Sequence, residues 1–294
     1  MRTFGPRFVT AMPDPFKGIA CMVGAGGFLT VSDAVVKWLS LGYPVGQILF
    51  MRGSFIFVTI GFLVWRFGGL RALRVRNLRG QFGRGILTVL SAGIFVYSLR
   101  FLPLADAVVI GFVGPIFVTA MAPAFLGERV GWRRWLAIAV GFVGVLVMVR
   151  PTGDALRWAA LLPAASAFFG ALRDIITRRI SATDSSVTTL AFTTACVTVA
   201  GLATCPFGWT ALTPHDLGLF AVTGIVLGVA QFLVIEAFRL GEAALVVPFK
   251  YSTVVWAILL GFLVWRDVPD VWVASGAVLV IGSGLFIWWR ETGR

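Results

Sequence analysis

Ten apolar stretches follow one another along this chain of 294 residues, and the connections between them are short. A membrane-spanning helix needs about 20 largely apolar residues, because the hydrocarbon core of a bilayer is about 30 Å thick. Hydrophobic residues make up 59% of the chain and charged residues only 13%, which excludes an ordinary soluble domain. The sequence therefore predicts an all-α polytopic membrane protein. The predicted spans are 16–39, 44–65, 82–101, 104–126, 132–149, 156–177, 185–205, 216–238, 242–264 and 270–289.

A charged motif occurs twice inside these apolar stretches. Asp33 precedes Lys37 by four residues in the first span, and Asp174 precedes Arg178 by four residues in the sixth. A charge at the centre of a spanning helix costs about 2.5–3.5 kcal/mol on insertion scales, so we expect such residues to be functional. The two motifs superpose at an offset of 141 residues, which also pairs Phe28 with Phe169.

A second match between the two halves lies further along the chain. The segment FLGERV resembles FLVWRDV, which pairs Glu128 with Asp267 at an offset of 139 residues. We therefore predict two related five-helix repeats, residues 1–150 and residues 151–294. Five is an odd number, so the second repeat enters the membrane from the opposite side, and inverted repeats of this kind are typical of secondary transporters.

The basic residues are distributed unevenly across the predicted topology. If the N-terminus is cytoplasmic, 17 of the 25 Lys and Arg residues fall on the inner side, Arg84 among them, and 5 fall on the outer side. The other 3, Arg52, Arg173 and Lys250, lie within spans. Cytoplasmic loops carry an excess of basic residues, so we predict a multi-pass protein of the bacterial inner membrane with both termini in the cytoplasm. The net charge of +12 then reflects topology and lipid headgroups rather than a nucleic-acid partner.

Cysteine and histidine show no pattern of a catalytic or metal site. The three cysteines lie within spans at no ligand spacing, and His215 is the only histidine. A metal site needs several such ligands together. We therefore predict no metal, no cofactor and no enzymatic activity.

Lys250 lies near the middle of the ninth predicted span. Pro248, two residues earlier, removes a backbone donor and favours a break in the helix. An ammonium group beside freed backbone at the bilayer centre could hold a substrate carboxylate. The alternative interpretation is a structural ion pair with an acid on a neighbouring span.

The paired acids suggest gates at the two ends of a pathway. Arg52 lies at a depth similar to that of Asp33, so an ion pair of Asp33 with Arg52 or with Lys37 is expected. Asp174 lies at the corresponding depth on the opposite side. Such pairs could close alternate gates, or they could only lock helices together.

Two stripes of small and polar residues mark helix faces. Gly224, Gly228 and Gln231 share one face of the eighth span, and Gly93 and Tyr97 share one face of the third. Each stripe indicates either close helix packing or a cavity lining. Glu236, a few residues from the inner end of the eighth span, is a further buried acid.

Two segments resemble a known family. Residues 99–151, which begin LRFLPLADAVVIGFVGPIF, and residues 246–270, VVPFKYSTVVWAILLGFLVWRDVPD, resemble the two repeats of EamA-domain proteins in the drug/metabolite transporter superfamily. The resemblance implies ten helices, cytoplasmic termini and a central cavity lined mainly by spans one, three, four, six, eight and nine. It also implies export of amino acids and related metabolites, as in the YddG-type exporters, whereas other members take up riboflavin or S-adenosylmethionine.

We therefore expect a secondary transporter that works by alternating access and exports amino acids or related small metabolites. Uptake of a larger aromatic metabolite is the alternative, followed by a membrane enzyme or a lipid flippase. Proton coupling and oligomeric state stay open. The candidate substrate contacts are Lys250, Tyr251, Gln231, Tyr97 and Phe169. The candidates for gating or proton coupling are Asp33, Arg52, Asp174 and Glu236.

The predicted orientation can be tested by cysteine labelling in a variant whose three native cysteines are replaced by serine. An impermeant thiol reagent added to intact cells should modify a cysteine at Thr213 and leave one at Asn77 unmodified, because 206–215 is predicted outside and 66–81 inside. Labelling at Asn77 alone would reverse the orientation and contradict the repeat.

Overall fold

The computed structural model describes residues 14–67, 69–102, 107, 110–149, 158–265 and 271–292, and within these ranges the chain is helical with short connections. In hydrocarbon each helix satisfies its own backbone groups, which is why a chain of this composition folds in this way. The prediction of ten helices is confirmed, with the ninth helix in two parts. The helices are α1 (Pro15–Gly42), α2 (Val45–Arg66), α3 (Leu78–Ser98), α4 (Gly114–Leu126), α5 (Trp132–Val149), α6 (Leu161–Ile180), α7 (Ser186–Leu202), α8 (Pro214–Leu240), α9a (Ala243–Val246), α9b (Ser252–Trp265) and α10 (Val271–Thr292).

Four of the described helical segments are long and apolar enough, by length and composition alone, to cross a membrane. They are α1, α2, α8 and the segment Ser186–Phe207, which contains α7. The helix α6 is outside this set, and it carries four charged residues, Arg173, Asp174, Arg178 and Arg179. The predicted border between the repeats at 150 and the predicted start of the fourth span at 104 lie outside the described residues.

The helices pack in pairs that relate one half of the chain to the other. The first helix of the first half, α1, packs along the third of the second half, α8, and α3 packs along α6 in the same way. The second helices α2 and α7 pack together, and so do the fifth helices α5 and α10. Every one of these contacts has a counterpart in the other half, which is the packing of two inverted five-helix repeats.

The basic residue of the repeated motif binds carbonyl oxygens at the end of another helix in both halves. The Nζ atom of Lys37 donates to the carbonyl oxygens of Leu99 at 2.6 Å and Leu102 at 3.2 Å, just beyond the end of α3. The Nη1 atom of Arg178 donates to the carbonyl oxygens of Phe238 at 3.0 Å and Arg239 at 3.2 Å, at the end of α8. Carbonyls at a helix end have no partner within the helix and favour a cation. The predicted ion pair of Asp33 with Lys37 is therefore wrong, because Lys37 caps α3 instead.

These contacts and the loops define two ends of the bundle. We call the end that holds residues 69–77 the inner end and the end that holds residues 203–213 the outer end, following the predicted orientation. At the inner end, Glu128 accepts hydrogen bonds from the backbone N–H groups of Ala243 at 2.9 Å and Ala244 at 3.0 Å and so caps α9a. Asp267, the predicted counterpart of Glu128, lies outside the described residues.

Glycines bring α2 into close contact with α7 and α8. A Cβ atom on Gly201 of α7 would lie 2.6 Å from the backbone nitrogen of Phe50 and 2.7 Å from the carbonyl oxygen of Gly46. On α8, a Cβ atom on Gly224 would lie 2.7 Å from the carbonyl oxygen of Arg52. Small residues let helix backbones approach closely in a membrane. The stripe of small and polar residues predicted on α8 therefore packs against α2 through its glycines.

We expect Gly201→Ala to destabilise the protein by about 1–3 kcal/mol, because the added methyl group meets the backbone of α2, which has no side chain to move aside. The measurement is the midpoint of thermal unfolding of the purified protein in detergent. The control is Gly61→Ala on α2, where a Cβ atom would meet nothing within 4 Å. An equal midpoint for the two variants would contradict the close contact.

Candidate functional site

A cavity of about 320 Å³ lies inside the bundle. The resemblance implied a lining from spans one, three, four, six, eight and nine, and the described lining comes from those helices together with α2 and α7. Most of the lining is apolar, and its aromatic members are Phe95 and Phe112. The cavity is therefore an apolar chamber with a small number of polar groups, which is typical of sites for small molecules.

The cavity reaches toward one end of the bundle only. Its lining extends from Arg84 to Val96 on α3 and from Pro163 to Asp174 on α6. It therefore comes within about one turn of the outer ends of these helices and stops about two turns, roughly 9 Å, short of their inner ends. The inner boundary of the cavity, its floor, is formed by charged side chains.

The charged residues of the cavity lining are more often basic than acidic. Two acids and four basic residues line it, which leaves a surplus of two positive charges. They are Asp33, Asp174, Arg52, Arg84, Arg173 and Lys250.

Asp174 joins two cations at the cavity floor. The guanidinium group of Arg173 donates to Asp174 Oδ1 from Nε at 3.0 Å and from Nη2 at 2.9 Å, and the ammonium group of Lys250 donates to Asp174 Oδ2. The Asp174 side chain is only 2% exposed, whereas Lys250 keeps 24% of its side chain exposed. Lys250 therefore forms the ion pair with an acid on a neighbouring helix that the alternative interpretation expected, and its side chain also lines the cavity; its contact with a substrate stays a prediction.

The backbone around Lys250 has the break that the proline predicted. Between α9a and α9b the segment Val247–Tyr251 forms a 3₁₀ turn with Pro248 near its start. A 3₁₀ stretch within a helix, next to a residue without a backbone N–H, changes the direction in which side chains project. This turn carries Lys250 toward α6 and its acid.

Arg84 is the cavity residue that the sequence interpretation placed wrongly. It was counted among the cytoplasmic basic residues, but it lies on α3 with only 2% of its surface exposed. Its Nε atom donates to the hydroxyl oxygen of Thr177 at 2.7 Å, and its Nη1 atom donates to that of Thr193. Arg84, Thr88 and Ser91 stand at positions i, i+4 and i+7 of α3 and form a polar stripe on one face of the helix. This stripe is the sequence signal that could have identified Arg84 as a cavity residue.

The predicted pair of Asp33 with Arg52 is not a direct contact, although the two charges interact electrostatically at longer range. Among the described residues, Asp33 has no hydrogen bond and no ion pair within 4 Å, although both side chains line the cavity. Arg52 donates instead from Nη2 to the hydroxyl oxygen of Ser32 at 2.7 Å, and its buried Nε atom has no partner. At the offset of 139 residues, the position in the first repeat that corresponds to Lys250 is Gly111. The first repeat therefore has no lysine at this position to pair with Asp33.

Four other predicted site residues lie away from the cavity. Tyr251 is buried in the core and donates to the carbonyl oxygen of Phe112 at 3.3 Å. Tyr97 is 43% exposed and packs against Phe101, and Phe169 packs against Phe168. Glu236 forms an ion pair with Arg239 at 3.5 Å. The structure thus brings together Lys250, Gln231, Asp33, Arg52 and Asp174 and leaves out Tyr251, Tyr97, Phe169 and Glu236.

A second and wider recess of about 1420 Å³, the inner vestibule, opens at the inner end. On α6, Arg178 lines this vestibule and Asp174 lines the cavity. Four residues of helix, roughly 6 Å, separate these two positions. The ion pairs of Asp174 therefore lie in a thin partition between the cavity and the vestibule. Within the described ranges, no group of three or more His, Cys, Asp or Glu residues comes together as metal ligands.

Comparison with known sequences gives one family match that covers nearly the whole chain. Residues 16–150 and residues 157–289 each match the EamA-like transporter family.

Several characterised proteins resemble the chain along its length. It is 30% identical to a riboflavin transporter of Rhizobium johnstonii, over 94% of this chain and 92% of that protein. It is 26% identical to an S-adenosylmethionine uptake transporter of Rickettsia bellii, over 92% of this chain and 94% of that protein. It is 28% identical to the pseudopaline exporter CntI of Pseudomonas aeruginosa, over 90% of this chain and 93% of that protein.

The fold also matches a solved structure. A crystal structure with 19% sequence identity superposes with a TM-score of 0.73 over 92% of this chain and 98% of the other. At this identity the similarity concerns the fold alone.

Proposed function

Because the chain belongs to the EamA-like transporter family, we propose that it exports a small, carboxylate-bearing metabolite by alternating access. Membership of the family makes it a membrane transporter of small metabolites rather than an enzyme. Within that function, the proposal specifies amino acids or related compounds as substrates, the bacterial inner membrane as location and cytoplasmic termini. A likeness to the YddG-type amino acid exporters is part of the same proposal.

The observation that carries the proposal is the cluster of Lys250, Asp174 and Arg173 at the cavity floor. A substrate carboxylate that enters the cavity has the same charge and geometry as the Asp174 carboxylate. It can therefore take the place of Asp174 as the partner of Lys250, which loosens the contact between α6 and the turn before α9b. Substrate binding and opening of the partition then depend on the same ion pair, that of Lys250 with Asp174. A transporter requires such a coupling between binding and opening.

The two acids of the inverted repeat are in different states, which supports the gating hypothesis. Asp174 near the inner end is paired with two cations, while Asp33 nearer the outer end is unpaired among the described residues. We infer that the structure represents the state with a closed inner gate. In the opposite state, Asp33 would pair with Arg52 and Asp174 would release Lys250. Protonation of Asp174 would have the same effect as its displacement, and this is how proton coupling would enter.

A second candidate function is uptake of a larger aromatic metabolite. The similarity to the riboflavin transporter of Rhizobium johnstonii favours it. So do Phe95 and Phe112 in the cavity wall, because aromatic side chains stack well on flat ring systems.

We expect Lys250→Ala to reduce flux of carboxylate-bearing amino acids in proteoliposomes by about tenfold or more, because a hydrogen bond to a charged group is worth about 1.5–3 kcal/mol. Lys250→Arg should retain part of the flux, since it keeps the charge, and Lys250→Leu should retain little. The measurement is efflux of radiolabelled amino acids with and without an imposed proton gradient.

The control for this experiment is Lys17→Ala, because Lys17 lies at the start of α1 with 74% of its side chain exposed. Near wild-type flux in both Lys250→Ala and Lys250→Leu would show that Lys250 only holds helices together. Flux of riboflavin without flux of any amino acid would favour the second candidate function.

The gates can be tested with a cavity cysteine at Ala92 in a variant that lacks the native cysteines. Asp174→Asn should increase labelling from the inner side, and Asp33→Asn should increase labelling from the outer side. Each change removes an ion pair that is proposed to form only while one gate is closed, the pair of Asp174 at the inner gate or the pair of Asp33 at the outer gate. For a partly hydrated pair worth about 1 kcal/mol the population shifts roughly fivefold.

The matched control for the gates is Glu236→Asn, which removes an acid on α8 that does not line the cavity. This variant should leave labelling from both sides unchanged. Shifts in the same direction for Asp33→Asn and Asp174→Asn would exclude the gates and leave both acids with a packing role.

A further inference from the structure

Two buried arginines of the cavity lining have no acid in direct contact among the described residues. Arg84 is 2% exposed and its bonds go to the hydroxyl groups of Thr177 and Thr193. Arg52 is 7% exposed, bonds to the hydroxyl group of Ser32, and has a buried Nε atom without a partner. Within the described ranges, neither guanidinium group lies within 4 Å of a carboxylate. These two cations are therefore hydrogen-bonded to hydroxyl groups and not held in direct ion pairs.

A guanidinium group stays charged in proteins, so neither arginine removes its charge by releasing a proton. A buried charge without a counter-charge is unfavourable, so such residues are kept for a function. The acids in the cavity do not balance them, because even with Asp33 and Asp174 both ionised the lining keeps a surplus of two positive charges. An anion bound in the cavity would supply this missing negative charge.

The two arginines lie on different parts of the cavity wall. Arg84 is about two turns from the inner end of α3, level with Asp174 and close to the floor. Arg52 is about two turns from the outer end of α2. A guanidinium group offers a planar fork of N–H donors that suits carboxylate and phosphate groups. The spacing thus suits a ligand with an anionic group at each end better than one with a single carboxylate.

We propose that the transported substrate is an organic anion with about two negative charges, one bound at the floor by Arg84 and Lys250 and the other bound by Arg52. The proposal rests on the transport function proposed above and narrows its substrate class. A zwitterionic amino acid has no net charge and would leave the surplus in place. An acidic amino acid derivative, a dicarboxylate or a phosphorylated metabolite would remove part or all of it.

The inner vestibule fits the same substrate class. Eight arginines and three acids line it. A recess with this charge raises the local concentration of anions at its mouth. Anions collected there are separated from the cavity only by the thin partition at Asp174.

The test uses purified full-length protein in detergent and pairs of probes that match in shape and differ in charge. The pairs are succinate with succinamide, glutamate with glutamine, and riboflavin 5′-phosphate with riboflavin. The measurement is the concentration of each probe that raises the midpoint of thermal unfolding halfway to saturation. In at least one pair, the anionic member should saturate at about a tenfold lower concentration than its neutral partner.

The arginine variants test the assignment to residues. Arg52→Gln and Arg84→Gln should each weaken binding of the anionic probe about tenfold, and Arg52→Lys and Arg84→Lys should weaken it less because they keep the charge. The controls are Arg66→Gln and Arg79→Gln, the same change at exposed positions on the same helices, α2 and α3. These controls should bind the anion as the wild type does.

The proposal is overturned if no anionic probe binds saturably, if neutral members bind as tightly, or if the Gln variants bind the anion with wild-type affinity. Flux in proteoliposomes separates this failure from failure of the transport function. Transport of glutamine or riboflavin without transport of any anionic probe would overturn the substrate class and leave transport standing. Anion binding without flux of any probe would count against transport and leave the anion site standing.

Discussion

The structure depends on one constraint, which is that charge inside a bilayer is costly and is kept where it is paired or functional. Asp174 meets it by joining Arg173 and Lys250, and this contact holds α6 to the broken ninth helix. The break at Val247–Tyr251 follows from the same need, because it directs Lys250 toward its acid.

The inverted repeat explains how one motif gives two different sites. Lys37 and Arg178 have equivalent roles at the ends of α3 and α8, so the scaffold of each half is built in the same way. The acids differ, because the second repeat supplies Lys250 where the first has Gly111. Two halves with the same frame and unequal ion pairs are the basis of the alternating access that we propose, in which the closed end of the cavity would change.

The cavity combines two features that bear on the substrate. Its apolar wall with Phe95 and Phe112 resembles a site for ring systems, whereas its basic residues favour an anion. The related proteins named for riboflavin, S-adenosylmethionine and pseudopaline show that one family frame accommodates chemically different metabolites. We propose that specificity in this chain rests on a few polar side chains of the cavity, buried Arg52 and Arg84 among them.

The sequence alone determined the ten helices, the two repeats, the break at Pro248 and the positions of Lys250 and Asp174 along their helices. These properties depend on position along a helix, and a fixed rise per residue turns sequence number into depth. Only the tertiary structure decided which way each side chain faces. In a bilayer both the lipid-facing and the buried sides of a helix are apolar, so composition does not mark the inner face. Hence the sequence predicts substrate contacts at Tyr97, Tyr251 and Phe169, which do not line the cavity, and counts Arg84 as cytoplasmic, although it is buried among hydroxyl groups of α6 and α7.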